Sequence, residues 1–255
     1  MIYTALVTDL DGTAAPISSD GSDVDARTKQ AVRHAIGSGK KITCATGREW
    51  EFAKPLIKAL GITSACIIEG GTRLIEPHTG NTIWEKDLAA SAISEVLTIF
   101  KTIAPQGFVV HSQEIDRQHI KEVAVLPDSL RFLYLLGVDR KAAVDIKARV
   151  NNETDAVAHI TPSWHSPDLL DIHVTHPEAT KEHAIRVWQH LEGVTPESTI
   201  GLGDSGNDIP IFQACGLRVA VRNATEELKQ LADYIAPTVF DHALEHVIQQ
   251  KLLHI

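Results

Sequence analysis

Ala5-Leu6-Val7-Thr8-Asp9-Leu10-Asp11-Gly12-Thr13 is the stretch on which the reading of this chain turns. Residues 5–9 are apolar, rich in strand formers and closed by an aspartate, so they read as a short buried strand. The chain then changes character at once, with acids at 9 and 11 followed by glycine and threonine. In parallel α/β sheets, ligands sit beyond the carboxyl ends of the strands, which is where this acidic pair falls.

The same pattern repeats outward. Residues 25–38 read as a helix capped by Asp25 and ended by Gly39, with Ala31, Val32, Ala35 and Ile36 on one face. A strand over 41–46, a helix over 49–60 stopped by Gly61, and a strand over 65–69 follow. Strand–helix–strand units of about 30 residues imply right-handed crossovers and a parallel sheet. The alternation resumes late: helix 181–191, strand 199–204, helix near 208–214, strand 217–221, helix 225–232. The fold class expected is α/β, a doubly wound parallel sheet.

The middle differs. Residues 72–77 and 82–86, joined by His78, Thr79, Gly80 and Asn81, read as a hairpin. After it come helix 88–103 with Ile93, Val96, Leu97 and Phe100 on one face, strand 107–112, a polar stretch, helix 140–150, and strands near 157–161 and 169–175. This is an inserted α+β domain of about 90 residues. The expected division is 1–85 and 176–255 for the core, 86–175 for the insertion.

Composition narrows the functional classes. With 44% hydrophobic and 22% charged residues the chain has the make-up of a soluble globular protein. No run approaches ~20 apolar residues, so no membrane span is expected, and the N-terminal residues lack the pattern of a signal peptide. A net charge of -9 argues against a nucleic-acid partner. Cys44, Cys66 and Cys215 are widely spaced among apolar or small neighbours and read as buried thiols of a reducing cytoplasm.

The chemistry is read from what each strand delivers. Residues two apart in extended chain share a side, so Asp9 and Asp11 crowd one spot. Their like charges repel unless a cation joins them. The strand starting at Thr199 delivers Gly203-Asp204-Ser205-Gly206-Asn207-Asp208. If the clusters converge, four carboxylates meet, and a hard divalent cation with oxygen ligands, Mg2+, resolves the conflict. Calcium is the rival, although the EF-hand spacing is missing. Thr46-Gly47-Arg48 offers a hydroxyl and a glycine amide as a cradle for a phosphoryl oxygen. Lys181 opens a helix that Thr180 can cap, and a cation there works against the helix dipole unless an anion docks beside it or Glu182 offsets it. Each element alone has an ordinary structural reading as turn, cap or surface residue. Their order on one sheet is the signal.

That order resembles the four motifs of the haloacid dehalogenase superfamily, carried by Asp9 to Thr13, Thr46 to Arg48, Lys181, and Gly203 to Asp208. The insertion resembles the C2B cap of its Cof-type sugar phosphatases. The resemblance covers nearly the whole chain and implies an Mg2+-dependent phosphatase. Asp9 would be the nucleophile and pass through an aspartyl-phosphate. Asp11 would be the general acid and base. Asp9, the Asp11 carbonyl and Asp204 would hold the metal, with Asp208 a direct or indirect partner. Thr46 and Gly47 would hold phosphoryl oxygens, Lys181 would neutralise charge, and Asn207 would position Lys181 or the phosphate. Gly70-Gly71-Thr72 departs from the family's usual Asn-Gly-Ala, as do Ala14-Ala15-Pro16 after Thr13, which puts the substrate in doubt but not the chemistry.

A cap would close over the site and supply specificity, with Arg117, His119, Lys121, Arg131, Trp164 and His165 as candidates. His159, His165, His173 and His176 match no common zinc spacing. Trp188 reads as core, on the apolar face with Ala184, Ile185 and Leu191. The expected partner is a small phosphorylated substrate, with no obligate protein partner. A phosphomutase or phosphotransferase would pass the group from Asp9 to a sugar instead of water. A receiver-like signalling module would keep it for a partner to read, but the insertion and the base at Asp11 argue against that.

Overall fold

A computed structural model describes residues 2–254 apart from 18, 23, 124, 125, 164, 165 and 167. The chain divides into two compact units, Met1–Trp84 with Thr180–Ile255, and Glu85–Ala179.

In the first unit the strands Ala5–Thr8, Lys41–Cys44, Thr199–Gly203, Leu217–Val221 and Tyr234–Ala236 form a five-stranded sheet. All its pairings are parallel, and Ala5–Thr8 lies between Thr199–Gly203 and Lys41–Cys44, with Leu6 opposite both Ile200 and Ile42. All four residues of Ala5–Thr8 are buried, which explains the absence of polar alternation. Leu6, Ile42 and Ile200 pack on one side with Val32, Leu56 and Leu252. Ala5 and Val7 pack on the other with Ile185, Trp188 and Ile211. Two faces covered by helices make the sheet doubly wound.

The local signals explain the helix ends. Asp25 accepts from the amides of Arg27 and Thr28, opening Ala26–Gly37. Gly61, at φ +75°, closes Trp50–Leu60. Trp188 is fully buried, but Leu191 is exposed, because the apolar face of Lys181–Glu192 ends one turn early.

Cys66–Ile68 differs from expectation. It hydrogen-bonds antiparallel to Arg73–Ile75 in a separate three-stranded sheet with Thr82–Glu85. A single parallel bridge, Ala45 to Ile67, ties it to the end of Lys41–Cys44. The turn after Ile68 is too short for a parallel crossover, so the chain must double back. Tyr234–Ala236 and the terminal helical segments Ala243–Val247 and Ile248–Leu253 were also not expected, although Ala243, Leu244, Val247, Ile248 and Leu252 carry a helical apolar spacing and are buried.

The second unit has an antiparallel sheet in the order Val157–Pro162, Leu170–Thr175, Phe132–Val138, Phe108–His111, Glu114–His119. Helices Ala90–Ile103 and Arg140–Glu153 supply Ile93, Val96, Phe100, Ile146 and Val150 to one face, against Val109, Leu133, Leu135, Ile172 and Val174. On the alternate positions Tyr134 stands opposite His173, their rings stacked with centroids 4.3 Å apart. Two strands of this five-stranded sheet lie within the segment read as a polar stretch. Glu114–His119 is a polar edge strand, and Phe132–Leu136 is apolar on both faces, so neither shows the period of a half-buried strand.

Candidate active site

The parallel strands bring their carboxyl ends together, and the site is assembled there. Asp9 follows Ala5–Thr8, is 5% exposed, and donates its amide to the Leu202 carbonyl of the neighbouring strand. The chain then folds into a tight turn in which the amides of Ala14 and Ala15 both reach the Leu10 carbonyl. Gly12 makes the turn possible. It has φ +75°, and a Cβ there would lie 2.6 Å from Asp204 Oδ2.

Lys181 enters from the first turn of its helix, where the Thr180 hydroxyl accepts from the His183 amide. Its ammonium is turned inward, 2.9 Å from Asp9 Oδ1 and 2.7 Å from Asp208 Oδ1. This accounts for a cation at a helix N-terminus: it is spent on carboxylates. Gly71 lets the loop after Cys66–Ile68 press on that N-terminus, for a Cβ there would be 2.1 Å from the Thr180 carbonyl carbon. The same loop holds Glu69, Gly70 and Gly71 at positive φ, and Glu69 at +52° is strained for a residue with a side chain.

The Asp204–Asp208 loop is wired to itself. Asp208 Oδ2 accepts from the amides of Asp204 and Ser205, and the Thr13 hydroxyl donates to Asp204 Oδ1 at 3.3 Å. One oxygen each of Asp9, Asp204 and Asp208 lie within 4.8 Å of one another. Three carboxylates thus face one ammonium. Burial, only partly opposed by Lys181, pushes Asp9 up to about 8, and the charges of Asp208 and Asp204 add to the rise. Burial and then Asp208 raise Asp204 to about 6. Lys181, despite its burial, is held above its ordinary value by Asp208 and Asp9. A donor set made only of carboxylate oxygens, with uncompensated negative charge, fits a hard divalent cation.

The structure separates some residues that the sequence grouped. The Asp11 carboxylate stands outside the trio and is gripped by Arg48, Nε to Oδ2 at 2.7 Å and Nη2 to Oδ1 at 2.6 Å. Thr46 is buried at the end of the neighbouring strand, its hydroxyl accepting from the Arg48 amide, while Gly47 is exposed. Asn207 is exposed and accepts from the Ser205 hydroxyl; Lys181 takes its position from Asp9 and Asp208. Arg117, His119, Lys121 and Arg131 belong to the second unit, and Trp164 and His165 lie outside the described residues. One residue was missed. Asn223 donates to the Gly12 carbonyl and accepts from the Val239 amide, pinning the acidic turn. Its signal was available, since it follows Leu217–Val221 at a parallel strand's carboxyl end.

Comparison with known proteins follows the same lines. The family described as haloacid dehalogenase-like hydrolase matches residues 6–248. Phosphoglycolate phosphatase of Methanothermobacter thermautotrophicus is 23% identical over 246 residues, covering 96% of this chain and 97% of that protein. A 5-amino-6-(5-phospho-D-ribitylamino)uracil phosphatase of Bacillus subtilis is 23% identical over 245 residues, covering 96% and 94%. A phosphatase of the same superfamily from Bacteroides thetaiotaomicron has a similar fold, with a TM-score of 0.80 at 21% identity over 100% of this chain and 96% of that one. Among the described residues, no helix is long and apolar enough to cross a membrane.

Proposed function

Because the chain belongs to the haloacid dehalogenase-like hydrolases and is a phosphoric monoester hydrolase, we propose that it cleaves a small phosphomonoester, a sugar phosphate or similar, through an aspartyl-phosphate on Asp9 with Mg2+ bound beside it. The observation that carries this reading is the trio itself: a buried aspartate at a strand end, hydrogen-bonded to Lys181 and facing two further carboxylates.

Asp9 and Asp204, with the Asp11 carbonyl, would hold the ion. Asp208 is already engaged by Lys181 and the loop amides, and supports it as ligand or as scaffold. Bound there, Mg2+ would offset the crowded negative charge and that of the phosphoryl group. An oxygen of Asp9 forms a bond to phosphorus while the bond to the leaving oxygen breaks, and Asp11 hands that oxygen a proton. A water then attacks the phosphoryl group, Asp11 takes its proton, and the bond to Asp9 breaks to release phosphate. Thr46, Gly47 and Asn207 would hold or position the phosphoryl oxygens, and Lys181 would neutralise charge on Asp9 and on the phosphoryl group. This division of labour suits phosphoryl transfer, where positioning and charge stabilisation dominate.

Both named relatives above act on small phosphomonoesters, which supports the substrate class. We read the separate unit Glu85–Ala179 as the C2B-type cap domain, and free thiols at Cys44, Cys66 and Cys215 fit a reducing cytoplasm. The test is turnover of p-nitrophenyl phosphate after treatment with EDTA. Activity is expected to fall to background and return with Mg2+. Indifference to chelation removes the metal from the reaction, and release of almost no inorganic phosphate turns the enzyme into a phosphotransferase.

A further inference from the structure

Arg48 has no assigned part in the chemistry, yet it is the most heavily engaged side chain around the acidic turn. Its Nε and Nη2 form a two-pronged pair with the Asp11 carboxylate at 2.7 and 2.6 Å. Its Nη1 donates to the Ser19 carbonyl at 2.7 Å and the Phe52 carbonyl at 2.9 Å. Its own amide donates to the Thr46 hydroxyl. Arg48 therefore joins three places: its guanidinium holds the acidic turn with the loop after it and the first turn of Trp50–Leu60, and its backbone amide meets the strand end that carries Thr46. With the Arg48 side chain 14% exposed and Asp11 31% exposed, the pair is shielded on the arginine side and open on the carboxylate side.

We propose that Arg48 is the positioning residue of the acid–base carboxylate: it docks Asp11 in one place and ties that place to the phosphoryl cradle at Thr46. The proposal rests on the reading of Asp11 as acid and base. In the docked geometry both Asp11 oxygens act as acceptors, the state of a base. To deliver a proton, one of the two oxygens must carry a hydrogen, which weakens its acceptance from the fork. The guanidinium is kept in place by two backbone carbonyls, so it waits to take the carboxylate back. A planar fork with fixed donors does this and an ammonium does not, so Arg48→Lys is not a neutral exchange. Without the fork, Asp11 lies on an open turn and samples its rotamers, and misplacement of a catalytic group by about 1 Å can cost on the order of 100-fold in rate.

The test is a double-mutant cycle on the full chain with p-nitrophenyl phosphate and Mg2+, using Arg48→Gln, Asp11→Asn and the pair. Arg48→Gln is expected to lower kcat at least tenfold while KM changes by less than threefold, with Arg48→Lys in between. In the Asp11→Asn background, Arg48→Gln is expected to cost little more. If the two losses multiply, Arg48 acts apart from Asp11 and the proposal falls while the acid–base reading stands. If KM rises in step with the loss of kcat/KM at unchanged kcat, Arg48 binds substrate directly and the proposal also falls. If Asp11→Asn keeps full activity, the acid–base reading itself is wrong and takes this inference with it. Thermal unfolding of each variant guards the comparison. Should Arg48→Gln fail to fold, the cycle is run with Arg48→Lys, which keeps the charge between the loops, against the same expectations at smaller amplitude.

Discussion

Lys181 in the first unit and His173 in the second are both basic side chains withdrawn from water, and the protein treats them in opposite ways. Lys181 is kept charged: Asp9 and Asp208 hold it, and the cost of burying an ammonium is met by two partners at hydrogen-bond distance. His173 is kept neutral. It is half-buried, stacked on Tyr134 with Phe132 edge-on, and burial, followed by the neighbouring His159, moves its imidazole well below the ordinary range. The first unit thus concentrates charge at the end of its sheet, whereas the second lines one face of its sheet with rings. Concentrated charge is what phosphoryl transfer needs. Neutral rings serve packing and shape.

The strongest challenge to this contrast is Asp9→Asn. It is expected to lower phosphatase turnover by at least about 10³-fold, because no other group would form the intermediate. The circular dichroism spectrum should be unchanged, since an amide fills the same space. Substantial turnover in that variant would reduce the charged cluster to a structural feature. Next in size is Lys181→Met. Leaving Asp9 and Asp208 buried without their cation is expected to cost about 3 kcal/mol or more in a urea unfolding series. Adding Asp208→Asn should recover part of that loss; a midpoint equal to the parent's would show that the lysine does not neutralise the cluster.

The smallest effect sharpens the other half of the contrast. His173 has a folded pKa below its unfolded value near 6.5, so below pH 6.5 the unfolded chain binds a proton that the folded chain resists. Stability is therefore lost as pH falls from about 6.5, and the loss ends only below the folded value. Because the ring keeps some contact with solvent, the expected change is a few degrees in Tm. His173→Phe should keep the aromatic stack and flatten that dependence between pH 6.5 and 5. An unchanged pH slope would place the acid sensitivity elsewhere.

Much of the first unit was legible because its strands are short, buried and closed by polar residues, and Asp25 and Gly61 mark helix ends by local chemistry alone. The gathering of Asp9, Asp204 and Asp208 was legible too, since any residue at a parallel strand's carboxyl end must face the same edge. What sequence could not reveal depended on side-chain direction. Asp11 lies two residues from Asp9, and the rule of alternation sends both to one side, but the turn at Gly12 begins there and extended geometry no longer applies. Nothing local pairs Asp11 with Arg48, 37 residues away. Sequence could compare Gly70-Gly71-Thr72 only with the family's usual Asn-Gly-Ala; that the backbone of Thr180 demands a glycine at 71 shows only in three dimensions. In the second unit, Phe132–Val138 escaped because both its faces are apolar, one ringed and one aliphatic.

The position of Ala5–Thr8 in the sheet also bears on how the protein is made. Of its two neighbours, one arrives early, at Lys41–Cys44, but the other is Thr199–Gly203. During synthesis at roughly 5–20 residues per second, this strand keeps a naked hydrogen-bonding edge for on the order of ten seconds or more. Meanwhile Glu85–Ala179 emerges whole and can compact by itself. The nascent chain thus carries a sticky, half-built sheet beside a finished module, and this is the interval in which a ribosome-associated chaperone has most to protect.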